Sequence, residues 1–362
     1  MIAPLISIIV PCYNVESYVF KALESVFAQS YINWECVIID DGSSDGTKEK
    51  IDFWLEKDSR FVYSYQENKG LSEARNSGLE KANGDFVFFF DSDDLLDIDA
   101  LRNLEQLVTD EVDIVFGKNA LTEGQNTNVK ETMKHFPESL VVHKNISKSL
   151  LKLVIEKPLS CVAWNRLYRM SFLKKHSLRF TPNLLHEDEL WFFETLFYAN
   201  GIVLNDKPTY YYNIANMDSI TNNFGVPNLV AYLRITEILY CKYYKEYTEF
   251  LDVISVYITF LKITTITHCY KNLLINDKVK VRSKIRTVFY SVNNKQKSFV
   301  LNKKLESYYY HFRIVEVLPV DFIYSFLREF YSLNFFKIMK RNFILSYARL
   351  MNLINKRKII KV

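Results

Sequence analysis

Apolar runs without polar alternation punctuate the first 90 residues of the chain. Leu5–Val10, Trp34–Asp40 and Phe86–Phe90 are rich in β-branched and aromatic residues, which is typical of strands buried on both faces of a sheet. Between them, Val15–Gln29 and Leu71–Lys81 contain apolar residues at the spacing of amphipathic helices. Strand and helix alternating in this way predict an α/β fold, with a Rossmann-like, mostly parallel sheet flanked by helices.

Polar clusters directly follow these strands, at 11–14 (PCYN), 39–46 (IDDGSSDG) and 91–94 (DSDD). Ligands of open α/β sheets bind beyond the carboxyl ends of the strands. The three clusters are therefore expected to meet at one edge of the sheet. The sequence contains neither GxGxxG nor GxxxxGK[ST] there, so a dinucleotide-binding fold or a P-loop has no support.

The DSDD cluster has the chemistry of a divalent-metal site. Asp91 and Asp93 point to the same side of an extended segment, because side chains alternate along a strand. Carboxylates at the end of a buried strand are costly unless they are hydrated, hydrogen-bonded or neutralised. Two hard oxygen donors suit Mg²⁺ or Mn²⁺ shared with substrate phosphates. A solvated turn that caps the next helix is the alternative, and the position at a strand end favours the metal.

The neighbouring clusters contain groups suited to a nucleotide. Asp40 and Asp41 present acceptors for a base imide or a ribose hydroxyl, although the same turn also starts a helix. The ring of Tyr13 is able to pack against a base. Lys69 and Arg75 follow a further predicted strand, Phe61–Gln66, near whose end they would meet a diphosphate, balance the aspartates or face solvent.

A second acidic group, HEDELW (186–191), begins a predicted helix. Glu187, Asp188 and Glu189 occupy its first turn, where the helix dipole favours acids without any catalytic role. The functional alternative is a general base, a carboxylate near the metal site that takes a proton from an incoming hydroxyl. The pattern is not HExxH, so it does not indicate a zinc peptidase.

Charge is distributed unevenly along the chain. Residues 1–120 carry 23 acids and 10 bases, whereas 330–362 carry eight bases and no acid. This tail mixes its bases with aromatic and aliphatic residues, as does a helix on an anionic membrane or a packed helix with a solvated basic face. The acidic front half and the net charge of +4 argue against a nucleic-acid partner.

The five cysteines show no paired spacing, which indicates reduced thiols and a cytoplasmic protein. The apolar start lacks the features of a signal peptide, and no apolar run approaches the roughly 18 residues of a membrane span. Residues 118–145 are expected to form a polar loop, and 145–157 a helix. Glycine nearly vanishes beyond about residue 225, so we predict a catalytic domain at 1–225 and a helical region at 226–362.

The motifs SIIVPCYN, VIIDDGSSDGT, NKGLSEARNSG, FVFFFDSDD, WNRLYR and HEDELW, in this order, resemble those of bacterial family 2 glycosyltransferases of GT-A fold. The resemblance covers roughly residues 4–225. It implies an inverting, metal-dependent hexosyltransferase that moves a sugar from a nucleoside diphosphate, usually UDP, to an acceptor hydroxyl.

The resemblance also implies roles for residues of the donor site. Pro11 and Tyr13 would line the base pocket, and Asp41 would accept a hydrogen bond from the uracil imide. Lys69 and Arg75 are assigned to the nucleotide-sugar site from their charge and position, not from the resemblance.

The same resemblance assigns the metal and the chemistry. Asp93 would be the direct ligand of Mn²⁺ or Mg²⁺, with Asp91 closer to the ribose and Asp94 extending the motif. Asp188 would be the catalytic base, and Glu187 would help to hold it.

On the acceptor side, Trp191 stands where the family has an aromatic residue near the acceptor. With the basic tail, the resemblance implies a cytoplasmic enzyme at the inner face of the cell membrane. Its acceptor would be a lipid-linked oligosaccharide for capsule, O-antigen or exopolysaccharide. A transferase acting on protein or teichoic acid is one alternative. A non-catalytic UDP-sugar-binding subunit is another, although binding alone would not need the HEDELW acids.

Overall fold

The computed structural model describes residues 3–132, 143–144, 160–215, 225–292 and 320–321. The chain divides into two compact units, Met1–Ser219 and Ile220–Val362. The helix expected at 145–157 and the basic tail at 330–362 lie outside the described residues.

A mixed sheet forms the centre of the first unit. Its strands are β1 Ile6–Cys12, β2 Trp34–Asp40, β3 Phe61–Tyr65, β4 Phe86–Phe89, β5 Leu95–Leu96, β6 Ile114–Thr122, β7 Val129–Thr132, β8 His143–Lys144, β9 Arg166–Arg169 and β10 Gly201–Asn213. They lie in the order β3-β2-β1-β4-β9-β6-β10-β5, with β7 beside β6 and β8 beside β10. The first four strands of this order are parallel, and β9 lies antiparallel between β4 and β6. The predicted α/β fold is confirmed, with an antiparallel insertion that the sequence did not indicate.

The central strands end level with one another. Ile9 of β1 lies opposite Val37 of β2 and Phe89 of β4. All residues of β1 and β4 are buried, which explains their unbroken apolar sequence. Because the strands run parallel in this register, the polar segments that follow them emerge at the same edge of the sheet.

Helices cover the sheet of the first unit. They are α1 Val19–Phe27, α2 Thr47–Lys57, α3 Leu71–Lys81, α4 Ala100–Glu105, α5 Met170–Lys175 and α6 Glu187–Tyr198. Helix α3 approaches β1 closely at Gly78, where a Cβ atom would lie 2.3 Å from the side chain of Ile9. Arg75 and Asn76 of the same helix are also buried. This close approach brings a cation down to the edge where the strands end.

The polar loop expected at 118–145 is wrong in its first part. Strand β6 continues to Thr122, and β7 follows as a hairpin partner. Two polar residues of β6, Asn119 and Thr122, are buried, and Asn119 accepts a hydrogen bond from Asn165 Nδ2 at 2.5 Å. Pairing with β10 satisfies the backbone hydrogen bonds of β6, so the polar residues of this segment did not mean that it is an exposed loop.

The second unit is helical in its described part. It contains α7 Val226–Ile238, a π-helical turn Leu239–Tyr244, a 3₁₀ turn Thr248–Phe250, α8 Leu251–Thr264, a second π-helical turn Thr265–Tyr270 and α9 Ile275–Ser291. One segment, Val253–Tyr270, is long and apolar enough to cross a membrane by length and composition, but it is 75% buried within the protein. Such burial is equally typical of a core helix.

Candidate active site

The acidic loop after β4 divides its carboxylates between the surface and the interior. Asp91 keeps 25% of its side-chain surface exposed, and Asp93 is half-buried. Asp94 is completely buried, where Oδ2 accepts from the hydroxyl of Tyr210 at 2.7 Å and Oδ1 accepts from the backbone N–H of Asn213 at 2.8 Å. Asp94 therefore fastens the loop to β10, and both of its oxygens are engaged in doing so.

A single arginine joins this loop to the start of α6. Arg75 Nη2 donates to Asp91 Oδ1 at 3.0 Å. Its Nη1 donates to Glu187 Oε1 and to Asp188 Oδ1, each at 2.7 Å. The guanidinium is 1% exposed and lies 5.2 Å from the ring centre of Phe180. The two acidic groups found in the sequence thus belong to one cluster, although 97 residues separate Asp91 from Asp188.

Negative charge exceeds positive charge in this cluster. Burial raises the pKa of Asp91 to about 6, with Arg75 opposing the shift and Asp93 and Asp188 adding to it. Burial likewise raises the pKa of Glu187 to about 7, reinforced by Asp188. Burial alone would lower the pKa of Arg75, but its three carboxylate partners raise it above the ordinary value. One guanidinium therefore does not neutralise the three carboxylates, and their remaining charge favours the binding of a further cation.

Asp188 has the geometry that a general base needs. Its Oδ1 is fixed by Arg75, while no described residue donates a hydrogen bond to Oδ2. The side chain remains 21% exposed, in contrast to Glu187, which is 10% exposed. One oxygen is thus held in place and the other is able to accept a proton from outside.

The backbone at the start of α6 helps to set this orientation. His186 adopts a left-handed conformation, with φ 59° and ψ 38°, which costs a non-glycine residue about 1–2 kcal/mol. Glu187 and Asp188 follow directly and lie in the first turn of α6. The helix dipole and the contact with Arg75 both favour acids here, so the two explanations offered by the sequence are compatible.

The loop after β2 holds its carboxylate in a different way. Asp41 accepts hydrogen bonds from the backbone N–H groups of Lys69 at 2.9 Å and Gly70 at 2.8 Å, and from Gln66 Nε2 at 2.6 Å. Gly42 permits this close approach with φ 82°, since a Cβ atom there would lie 2.9 Å from the backbone of Asn68. Asp41 is 4% exposed, so it lies at the base of the surface that the loop after β2 forms at the sheet edge.

The remaining donor-site residues lie at the same edge with different exposure. Pro11 is buried within β1, whereas Tyr13 is 53% exposed. The loop that carries Tyr13 contacts the loop after β2, because the side chain of Asn14 accepts from the backbone N–H of Ser44 at 2.8 Å. The side chain of Lys69 is exposed. Arg75, in contrast, is the buried partner of acids, which excludes its solvated interpretation.

The expected acceptor contact of Trp191 is not supported by the structure. Its side chain is 1% exposed and stacks on Phe180, with ring centres 4.1 Å apart and planes 12° apart. Phe89 and Tyr168 approach the same indole edge-on. Trp191 packs α6 against the sheet and against the segment that precedes α6. It therefore supports the Arg75 cluster from the core and does not face an acceptor.

A divalent cation fits the residues at this edge. Asp91 keeps one oxygen, Oδ2, to which no described residue donates a hydrogen bond, and Asp93 lies two residues further along the same loop. Among the described residues, no three His, Cys, Asp or Glu side chains converge as a ready-made metal site. Asp91 and Asp93 would therefore supply part of the coordination of Mg²⁺ or Mn²⁺, with oxygens of the bound substrate completing it.

Several residues of the cluster were not predicted from the sequence. Tyr210 and Asn213 hold Asp94 from more than 110 residues away, a contact that the sequence around YYYN did not indicate. Asn76 holds the segment before α6 through a pair of hydrogen bonds with the backbone of Phe180, each 2.9 Å long. The only sequence signal for Asn76 was its position next to Arg75.

Comparisons with known proteins agree with this architecture. The sequence model described as Glycosyl transferase family 2 matches residues 7–177. A putative glycosyltransferase of Bacillus subtilis, EpsH, is 31% identical over 232 residues, which cover 62% of this chain and 64% of the relative. An uncharacterized glycosyltransferase of Haemophilus influenzae is 34% identical over 197 residues, or 53% of this chain and 72% of that protein.

Solved structures share the fold. A crystal structure of S. aureus TarS, residues 1–349, in complex with UDP-GlcNAc superposes with a TM-score of 0.69 at 18% identity, covering 90% of this chain and 91% of that one. The chain belongs to the bacterial family 2 glycosyltransferases of GT-A fold. The matched part of the chain spans 64% of the length of EpsH.

Proposed function

We propose that this enzyme transfers a sugar from a UDP-sugar to a hydroxyl of a glycan acceptor, with inversion at the anomeric carbon. The observation that carries the proposal is the cluster around Arg75. One buried guanidinium holds Asp91 of the acidic loop and Asp188 of α6 on neighbouring nitrogens. Groups suited to a donor diphosphate and to an acceptor hydroxyl are thereby kept at one edge of the sheet.

The donor would lie along the carboxyl edge of the central strands. Tyr13 offers an exposed ring to the base, and Pro11 and Asp41 form the buried wall and floor beneath it. Lys69 adds an exposed cation beside this pocket. The complex of TarS with UDP-GlcNAc supports the choice of a UDP-sugar for a chain of the same fold.

Asp91 and Asp93 would hold Mn²⁺ or Mg²⁺ together with the diphosphate. Such an ion would stabilise the negative charge that develops on the departing UDP. The excess negative charge of the cluster favours this arrangement, because Arg75 alone leaves Asp91 with a raised pKa.

Asp188 would act as the base through its open oxygen, Oδ2. The acceptor oxygen forms a bond to the anomeric carbon as its proton passes to Asp188, and the bond from that carbon to the diphosphate breaks, so that UDP leaves with the electron pair. A single displacement from the face opposite to UDP inverts the configuration, and no covalent enzyme intermediate is needed. Glu187, bound to the same nitrogen of Arg75, would keep Asp188 in register.

The acceptor we propose is a lipid-linked oligosaccharide of capsule, O-antigen or exopolysaccharide synthesis, and the enzyme would act at the inner face of the cell membrane. The eight bases of the tail 330–362, interspersed with aromatic residues, support this choice. If the acceptor were instead a protein or teichoic acid, the enzyme would act on a soluble acceptor, and deletion of the tail would not change its activity.

A donor screen tests the proposal. The full chain is incubated with UDP-, GDP- and TDP-sugars, with and without Mn²⁺ or Mg²⁺, and release of the nucleotide is measured. We expect metal-dependent hydrolysis of at least one UDP-sugar and loss of that activity in Asp188→Asn. Tight UDP binding without turnover of any donor would instead favour a non-catalytic binding subunit.

A further inference from the structure

Helix α9 of the second unit presents an apolar stripe to solvent. Its buried face consists of Val281, Ile285, Val288 and Phe289, at the spacing of a helix packed on a core. On the opposite side, Ile275 is 79% exposed, Val279 56% and Tyr290 87%. At 3.6 residues per turn these three side chains fall within a sector of about 60° along the helix. Both faces of α9 therefore carry apolar residues, and only one of them is covered.

Basic residues surround this stripe unevenly. Arg286 lies within it, and Lys278 and Arg282 lie beside one edge. Lys280 and Lys284 lie farther away, about 80° and 120° around the helix from the other edge. Residues 271–291 contain six bases and a single acid, Asp277.

Some of these charges are already balanced. Lys280 pairs with Asp277 at 3.0 Å, and Arg282 pairs with Asp321 at 2.8 Å. Lys284 and Arg286 are exposed and form no ion pair with any described residue. The surface thus keeps uncompensated positive charge beside the apolar stripe.

We propose that the exposed face of α9 docks on an anionic lipid surface. An apolar stripe lined by long basic side chains allows Ile275, Val279 and Tyr290 to enter the interface while the cations reach the lipid phosphates. A second copy of this face would bring like charges together, and so would the basic tail, which contains eight bases and no acid at 330–362. An anionic surface is the occupant that matches both the charge and the apolar character.

This surface is independent of the chemistry proposed at Asp188, and it differs from the anchor proposed for the tail. It predicts that α9 contributes to membrane binding even when the tail is intact. Each base near an anionic surface contributes about fivefold to binding, so three of them together contribute about 100-fold.

Vesicle co-sedimentation of the full chain tests this. The parent protein is expected to bind vesicles of phosphatidylcholine with phosphatidylglycerol, more weakly at high salt, and not to bind phosphatidylcholine alone. The triple variant Lys278→Gln, Lys284→Gln, Arg286→Gln is expected to bind about 100-fold more weakly. A second variant, Ile275→Ser with Tyr290→Ser, keeps all charges and is expected to bind at least several-fold more weakly.

A matched control removes the same charge elsewhere. Lys21→Gln, Lys81→Gln, Lys174→Gln replaces three exposed bases of the first unit and is expected to leave vesicle binding within about twofold, since those bases lie outside the surface. Unchanged binding of the α9 variants, an equal loss in the control, or equal binding to neutral vesicles would overturn the proposal. So would a dimer, formed without vesicles, that the Ile275 and Tyr290 changes abolish.

Circular dichroism confirms that each variant is folded. Donor hydrolysis is measured alongside and is expected to be unchanged, because the α9 residues belong to no part of the proposed catalytic cluster. Absence of hydrolysis in every protein, parent included, would count against the proposed function and would leave the vesicle result standing.

Discussion

Asp41 and Asp91 each follow a central strand of the same sheet, yet their carboxylates are held in opposite ways. Asp41 accepts three hydrogen bonds, from Gln66 and from the backbone at Lys69 and Gly70, all within one neighbouring loop. Asp91 shares a single buried guanidinium with two other carboxylates. One acid is supported by neutral N–H donors, and the other stands in a cluster short of positive charge.

In the proposed function, this difference separates donor recognition at Asp41 from the chemistry at the Arg75 cluster. Fixed N–H donors that hold a carboxylate give a rigid floor suited to a neutral, hydrogen-bonding base. A cluster with excess negative charge attracts cations and raises carboxyl pKa values, as at Asp91 and Glu187. Substitution of Asp41 should therefore affect the Kd for the donor, whereas substitutions in the Arg75 cluster should affect kcat.

Asp188→Asn is expected to have the largest effect. The amide keeps the shape of the side chain but cannot take a proton, so kcat should fall by about 10³-fold while the Kd for UDP stays within a few-fold. Steady-state kinetics with the donor found in the screen and calorimetry with UDP measure the two quantities. Asp52→Asn, an exposed acid of α2, serves as the matched control. Wild-type turnover in Asp188→Asn would refute the base assignment.

Arg75→Lys tests the link between the two acidic groups. An ammonium group lacks the planar fork that reaches Asp91 and Asp188 together, so both carboxylates lose their fixed positions. We expect kcat to fall by about 100-fold with a smaller change in donor affinity.

The control for Arg75 is Arg169→Lys, which makes the same change at an arginine bonded to the carbonyls of Thr109 and Val112. The Arg169→Lys variant should keep the kcat of the parent protein. A Kd for the donor that weakens as much as kcat falls would mean that Arg75 binds the donor directly, which was one of the three interpretations of its sequence position.

Asp93→Ala is expected to act on the metal requirement. Losing one carboxylate ligand should raise the Mn²⁺ concentration needed for half-maximal activity by about tenfold or more. Titration of activity with Mn²⁺ measures this. Asp99→Ala, in the segment that follows, removes a carboxylate bonded to Ser30 and should leave the titration unchanged. A normal Mn²⁺ requirement in Asp93→Ala would remove this residue from the metal site.

Asp41→Asn should give the smallest of these effects and should act on binding. The new amide would place an N–H₂ group against donors of the loop at 66–70, which costs about 1–3 kcal/mol. The Kd for UDP is expected to weaken by about tenfold, with kcat nearly unchanged. Calorimetry with UDP and with UMP checks this. A large fall in kcat with an unchanged Kd for UDP would show that Asp41 and the Arg75 cluster do not act separately.

The sequence predicted those features that local patterns determine. Unbroken apolar runs predicted the central strands, and the position of DSDD and HEDELW at element ends predicted where the acids lie. Tertiary contacts decided the rest. The burial of Arg75 depends on α6 and Phe180, more than 100 residues away in sequence, so its charge alone left three interpretations open. Trp191 was misassigned for the same reason, because a motif gives a position and not the packing around it.

A crystal structure of the full chain with UDP and Mn²⁺ tests the central claim most directly. That claim is that the acidic loop and Asp188 serve one cleft through Arg75. We expect anomalous density for Mn²⁺ against Asp93 and the diphosphate, uracil beside Tyr13 and Asp41, and Arg75 still bonded to Asp188. UDP bound elsewhere, or Mn²⁺ held by side chains outside the loop after β4, would contradict the account.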